Sequence, residues 1–499
     1  MAAALDRGST RTGTAAACDM KRVLVAREFP PAPGGGIGTY SSHIARALVD
    51  AGETVHVIGS RWPGAEQARE ESRDGRLVAH RLPIESPGRF FGTVAHPAMP
   101  DHHRETFRQG GAAAAFAAQV TELLEELVQA ESIDAIEAPE YEAPLAPFLA
   151  RRALGRGPDR TPPCVIHLHS PSEFIATSNG TTALAASKSP IALLERYAIA
   201  NADRLCCPSR YLARQVESHF EVARGMIEVI PYPLNASGAL VRSTAVWRDG
   251  SILFMGRLEL RKGILEWIDA AVTLAAENPS LSFEFVGSDH VDAQLGGTRN
   301  IERRIPAALR SRFRFHDHRD AAGLSELLAC ARVVVVPSRW ENFPYTCIEA
   351  MASGVAVVAS PAGGMCEMIT HGVDGWIAAT GAPHDLADAV REALFAGADG
   401  LAEAGRRAAE SIVQTCEPGS VVARHLRLAA GAPRRTAGTS SPAIDAATVL
   451  AMSWLPAPVP GLSRWIDVAR MVRRAASRPV STVRRIARHV GMRHHGVVS

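Results

Sequence analysis

A strand, loop, helix and strand between residues 333 and 359 constrain this chain most. Val333-Val334-Val335-Val336 is β-branched and apolar without alternation, as in a buried strand of a parallel sheet. Val355-Ala356-Val357-Val358-Ala359 is a second such run. The loop between them turns into a helix near Pro344, a residue suited to a first helical turn. Tyr345 and Glu349, four apart, then share a helix face, and Glu341 sits on the loop just ahead. Two carboxylates therefore converge on a helix N-terminus at the carboxyl end of a parallel strand, where open α/β sheets bind ligands. Free backbone N–H groups there suit anionic oxygens, and carboxylates accept bonds from hydroxyls. Phosphate plus polyol is the chemistry of a sugar nucleotide.

Glu341 and Glu349, eight apart and closed by Glu349-Ala350-Met351-Ala352-Ser353-Gly354, resemble the signature of retaining family 4 glycosyltransferases of GT-B fold. The competing reading is an ordinary strand–loop–helix unit with surface glutamates. Further motifs favour the resemblance. Ser251-Ile252-Leu253-Phe254-Met255 is a strand running into a loop with Arg257 and Lys262 beside Gly256 and Gly263. Two cations five apart suit a diphosphate, arginine binding bidentately and lysine acting as a point charge. Family 4 enzymes carry an arginine and a lysine in this arrangement to bind the donor diphosphate, and Arg261 reads as the surface residue. Pro361 to Ile369, with Gly363 and Gly364, and Gly372 to Trp376 also match family loops, the first lining the donor site.

The first half opens on the strand Lys21–Ala26, a loop with Gly34, Gly35, Gly36 and Gly38, a helical pattern, and the strand Val55–Gly59. This begins a Rossmann-like domain. A dinucleotide-binding dehydrogenase fits poorly, because the last fingerprint glycine is Ser41 and the second strand ends without an acid. As a glycosyltransferase loop, Gly36 and Gly38 would let backbone amides approach donor phosphate or acceptor; a structural turn is the alternative. Residues 60–110 carry no clear pattern, and Ala112–Ala130 reads as a helix. The loop 138–142 is either an acceptor contact or a solvated acidic loop. The strand Pro163–His169 ends in His169, which matches the family histidine facing the donor sugar, while His167 reads as a core histidine bonded to backbone. The His316-Asp317-His318 run is a weak metal candidate.

At 499 residues the chain is long enough for two or three domains, and 46% hydrophobic with 21% charged residues is ordinary globular composition. Eight cysteines without a Cys-x-x-Cys pair read as free thiols in a reducing compartment. Residues 461–499 hold nine arginines, no lysine and one acid, a charge of +8, so the first 460 residues carry −6 against a chain total of +2. Within 462–490 apolar residues and Trp465 share helical faces opposite arginines, the pattern of an anchor on anionic lipid; packing on a partner or on the catalytic body, or disorder, are its rivals. No nucleic-acid reader fold is recognisable.

The expected organisation is therefore α/β of GT-B type, with two Rossmann-like domains facing across a cleft. Residues 1–20 form an N-terminal extension, 21–234 an acceptor domain and 235–415 a donor domain. Residues 416–430 form a helix crossing back, and 431–499 a linker and basic tail. The resemblance implies retaining transfer from a nucleotide-diphosphate sugar to a glycan, lipid-linked or small-molecule hydroxyl, with no metal and no cofactor. His169, Glu341, Arg257 and Lys262 would be catalytic. Gly36, Gly38, Arg257, Lys262, Asn342, Phe343, Pro344, Tyr345 and Glu349 would bind donor. Location would be cytoplasmic, peripheral on the inner membrane face if the tail is an anchor. A sugar-nucleotide epimerase and a non-catalytic sugar-nucleotide scaffold are the alternatives.

Overall fold

A computed structural model describes residues 20–32, 35–87, 93–235, 240, 242–288, 298–432 and 435–436. The N-terminal extension before Met20 and the amphipathic tail at 462–490 lie outside them. Two sheets organise the chain. The first runs, strand beside strand, Ile227–Val229, Arg204–Cys207, Cys164–His167, Ala135–Pro139, Lys21–Val25, Thr54–Ser60, Leu77–Leu82 and Arg69–Ser72. All its pairings are parallel except the last. The second, wholly parallel, runs Phe313–His316, Phe283–Val286, Ser251–Met255, Ala331–Val336, Ala356–Ala359 and Gly375–Ile377.

Each sheet has a point where the chain order reverses, and open α/β sheets bind ligands outside the strand ends there. In the second sheet it falls between Ser251–Met255 and Ala331–Val336, whose following loops carry Arg257–Lys262 and Glu341. In the first it falls between Lys21–Val25 and Ala135–Pro139, whose loops carry the glycines and Glu140. Burial on both faces explains the unbroken apolar runs: Val333, Val334, Val335 and Val357 are fully buried. Phe283, Phe285, Phe313 and Phe315 stack across neighbouring strands and stiffen the second sheet.

The helix Pro418–Ala430 returns to the first sheet. Its Arg424 bonds Glu228 at 3.1 Å, and its His425 reaches Glu137 at 3.2 Å. The helix expected over Ala112–Ala130 is present, and a further helix from Asp101 precedes it across a non-helical Gly111 (φ 71°). The strand Leu77–Leu82 lies in the stretch 60–110 that carries no clear sequence pattern; its alternation is broken by Arg81, whose guanidinium turns inward to the carbonyls of Phe29 and Pro30. None of the seven described cysteines is in a disulfide; Cys330 and Cys366 are exposed and the rest buried. No helix among the described residues is long and apolar enough to cross a membrane.

Candidate active site

The loop after Ser251–Met255 and the loop before the helix Tyr345–Ala352 meet in one ionic network. Lys262 Nζ donates to Glu341 Oε1, and Arg261 Nη1 reaches the same oxygen at 2.9 Å. Arg261 Nη2 also donates to Glu259 at 2.7 Å, and Arg257 reaches Glu259 at 3.3 Å. Arg261 is therefore no surface residue: its side chain is 5% exposed, whereas that of Arg257 is 43% exposed. The reason is geometric: its planar fork reaches Glu259 and Glu341 at once, which buries the guanidinium between them. Burial alone would raise the Glu341 pKa, but Lys262 and Arg261 hold it below the usual carboxylate range. Burial lowers the Lys262 pKa against the opposing pull of Glu341.

Glu349 differs from Glu341. No described residue donates a hydrogen bond to its side chain, and burial pushes its pKa up to about 7. The backbone of Glu341 and Asn342 is cradled by Gly363 and Gly364: a Cβ at Gly363 would lie 1.6 Å from the Glu341 carbonyl oxygen. The glycine pair thus positions the motif loop by close backbone approach.

Asn342 joins the two halves. Its Oδ1 accepts from Ser209 Oγ at 2.6 Å, and its Nδ2 donates to the carbonyl of His169 at 3.0 Å. Asn179 Oδ1 accepts from the Arg261 amide at 2.9 Å, and Glu367 caps the amides of Arg210 and Tyr211 at 2.9 and 2.6 Å. Phe343 and Tyr345 also serve this contact. Tyr345 stacks on Tyr232 at 5.2 Å and 5°, and Phe343 meets the Tyr232 edge. The side chains of Asn342, Phe343 and Tyr345, expected against the donor, are thus taken up by packing between the halves. Pro344 caps the motif helix and is buried.

On the first half, His169 Nδ1 pairs with Tyr232 Oη at 2.7 Å, and burial beside His167 pushes its pKa well down, leaving a neutral imidazole. Glu140 accepts from the amides of His169 and Ser170 and is buried, while Tyr141 and Glu142 at the end of the loop are half-buried. His167 bonds not to backbone but to Tyr40 Oη at 2.7 Å, beside Glu137 at 3.3 Å. Gly36 opens its helix exposed, with Tyr345 4.0 Å from where a Cβ would stand. Gly38 is buried, and its Cβ would lie 2.5 Å from the Glu28 carbonyl, so packing demands glycine there. His316 pairs with Glu284 at 3.1 Å, and the His-Asp-His run forms no ligand cluster among the described residues. Tyr40, Tyr232, Ser209, Glu367 and His425 also contribute here, though no spacing in the sequence singles them out.

Two family models match the chain in succession: "Glycosyl transferase 4-like domain" over residues 35–233 and "Glycosyl transferases group 1" over 249–395. Glycogen synthase of Mycobacterium tuberculosis is 25% identical over 393 residues, covering 78% of this chain and 88% of that one. A D-inositol 3-phosphate glycosyltransferase of Geodermatophilus obscurus is 27% identical over 292 residues, 54% of this chain and 64% of that one. Among solved structures, sucrose-phosphate synthase of Thermosynechococcus elongatus aligns with TM-score 0.64 at 20% identity, over 82% of this chain and 98% of that one. Anabaena HepE, in complex with UDP and glucose, aligns with TM-score 0.58 at 18% identity, over 82% and 99%.

Proposed function

Because this chain belongs to the group 1, family 4 glycosyltransferases of GT-B fold, we propose that it transfers a sugar from a nucleoside-diphosphate donor to a hydroxyl acceptor with retention of anomeric configuration and no ion in the transfer step. One observation carries the reading: Lys262 and Arg261 share an oxygen of Glu341 at the switch point of the second sheet, while Asn342, the next residue, holds His169 of the first. Cations, a carboxylate and the backbone of His169, from three separate stretches, are thus linked.

Arg257, the more exposed cation, and Lys262 would bind the diphosphate and stabilise the charge that develops as it leaves. That replaces the neutralising role a metal plays elsewhere. Glu349, lacking a donor of its own, would accept the ribose hydroxyls. Glu341 would lie near the donor sugar, and neutral His169 would contact the sugar as positive charge grows on it. Gly36, Gly38 and Pro344 would contribute backbone surface. UDP-sugars are the first donors to try, because HepE is a complex with UDP and glucose.

Thermal-shift screening of the full chain against UDP-, GDP- and ADP-sugars tests donor binding, since a ligand of the native state raises Tm. Turnover over an acceptor panel, with the product's anomeric configuration read by NMR, tests the reaction. Inverted product overturns retention. Isomerised donor without acceptor favours an epimerase, and tight binding with no product favours a scaffold. The tail at 462–490 is proposed to hold the enzyme on anionic membrane at the cytoplasmic face. Equal liposome flotation of the full chain and of a version ending at Ala430 removes that idea.

A further inference from the structure

Behind the His169 wall lies a buried cluster that the transfer reaction does not use. His167 and Cys206 are register partners on adjacent strands, so both side chains leave the sheet on one face. That face is covered by the return helix, which lowers His425 onto them. One donor atom each from His167, Cys206 and His425 lies within 4.8 Å of the others, and all three residues are buried. They come from positions far apart in the chain, and nothing local requires this set.

The hydrogen bonds fix which atoms are free. Tyr40 Oη donates to Glu137 Oε1 at 2.5 Å and so accepts from His167 Nδ1 at 2.7 Å. His167 Nδ1 therefore carries the proton, and Nε2 holds a lone pair; that nitrogen is buried with no partner. His425 Nδ1 faces Glu137 Oε2 at 3.2 Å, and a carboxylate only accepts, so its lone pair also sits on Nε2, which lies 3.5 Å from the Oη of Tyr40, a hydroxyl whose proton goes to Glu137. One carboxylate thus orients two imidazoles toward the same place beside a cysteine, the usual support behind metal-bound histidines.

From this geometry we infer that His167 Nε2, His425 Nε2 and Cys206 Sγ bind a structural zinc ion, with Glu137 orienting both imidazoles. Two histidines and a thiolate are a zinc-type donor set. Usual bond lengths put tetrahedral ligand atoms roughly 3.3–3.8 Å apart, so the cluster closes by about 1 Å when the ion enters. A water would complete the tetrahedron as the fourth ligand. The charges then balance: the dication is met by the Cys206 thiolate and the Glu137 carboxylate. Such an ion would staple the return helix to the first sheet.

The test is the full chain produced in cobalt-supplemented medium, since a buried site fills during folding. The expected result is about one cobalt per chain, tetrahedral d–d bands in the visible, and a thiolate-to-cobalt charge-transfer band in the near ultraviolet. Cys206→Ala should abolish the charge-transfer band and most of the bound metal while UDP-sugar binding persists. His425→Gln should do the same and serves if Cys206→Ala fails to fold. The second group, His102, His103 and Glu122, has no thiolate, so it cannot produce that band. No charge-transfer band in the wild-type chain, or one that survives in either variant, overturns the proposal.

Discussion

Arg261 and Lys262, consecutive in the chain, bond one oxygen of Glu341 together, Arg261 at 2.9 Å. Neighbouring residues of the same charge thereby take different parts. Arg261 spends its second nitrogen on Glu259 and is locked, while Lys262 holds Glu341 by a single ammonium that a diphosphate can share.

Lys262→Ala and Arg257→Ala should each lower kcat by about 10²-fold, the scale for losing one charge-stabilising donor. Steady-state kinetics with the donor found by screening checks this. Wild-type turnover in both variants would remove the diphosphate from this loop.

Arg261→Met should act on stability. It leaves Glu259 and Glu341 short of their shared partner in a buried setting, a loss of about 3 kcal/mol. Urea unfolding measures it. A variant as stable as wild type but inactive would make Arg261 a ligand-binding residue instead.

Donor affinity should rise with pH through 7. Glu349 must be ionised to accept ribose hydroxyls, and burial holds its pKa at about 7. Binding measured by calorimetry should be about tenfold tighter at pH 8 than at pH 6. A UDP-sugar diphosphate does not titrate in that range, and Glu349→Gln should flatten the profile. The sign for folding is opposite: a carboxyl with a raised native pKa loses stability as pH climbs from 4.5 to about 7. A pH-independent donor affinity in the wild type would take Glu349 out of the ribose site.

Asn342→Leu keeps the volume but removes the bonds to Ser209 and His169, and should cost about 1–3 kcal/mol. It should also slow transfer, because His169 loses its tie to the donor loop. Unchanged kcat would mean that this contact holds the halves together without positioning the histidine.

Gly38→Ala should destabilise the first half by about 1–3 kcal/mol, since its methyl would meet the Glu28 carbonyl at 2.5 Å. Gly36→Ala has room. A raised KM with unchanged Tm would identify Gly36 as a ligand-facing backbone, and wild-type kinetics would make it a turn residue.

The sequence alone determined the alternation of strands and helices, the two Rossmann-like halves, and which loops carry the cations and carboxylates. These are local matters: β-branched runs, glycine punctuation and helix periodicity are set by residues near in the chain. Arg257 and Lys262 with Glu341 were legible because loops at a switch point are brought together by topology. What each side chain does was decided only by tertiary structure. Arg261 and Arg257 are alike in sequence, and only the position of Glu341 buries one and leaves the other half-exposed beside Glu259. Glu341 and Glu349 belong to one motif, yet one is paired with two cations and the other with none. The meeting of His167, Cys206 and His425 is more remote still. It depends on a strand register and on a helix that returns from the far end of the chain, and no spacing rule encodes either.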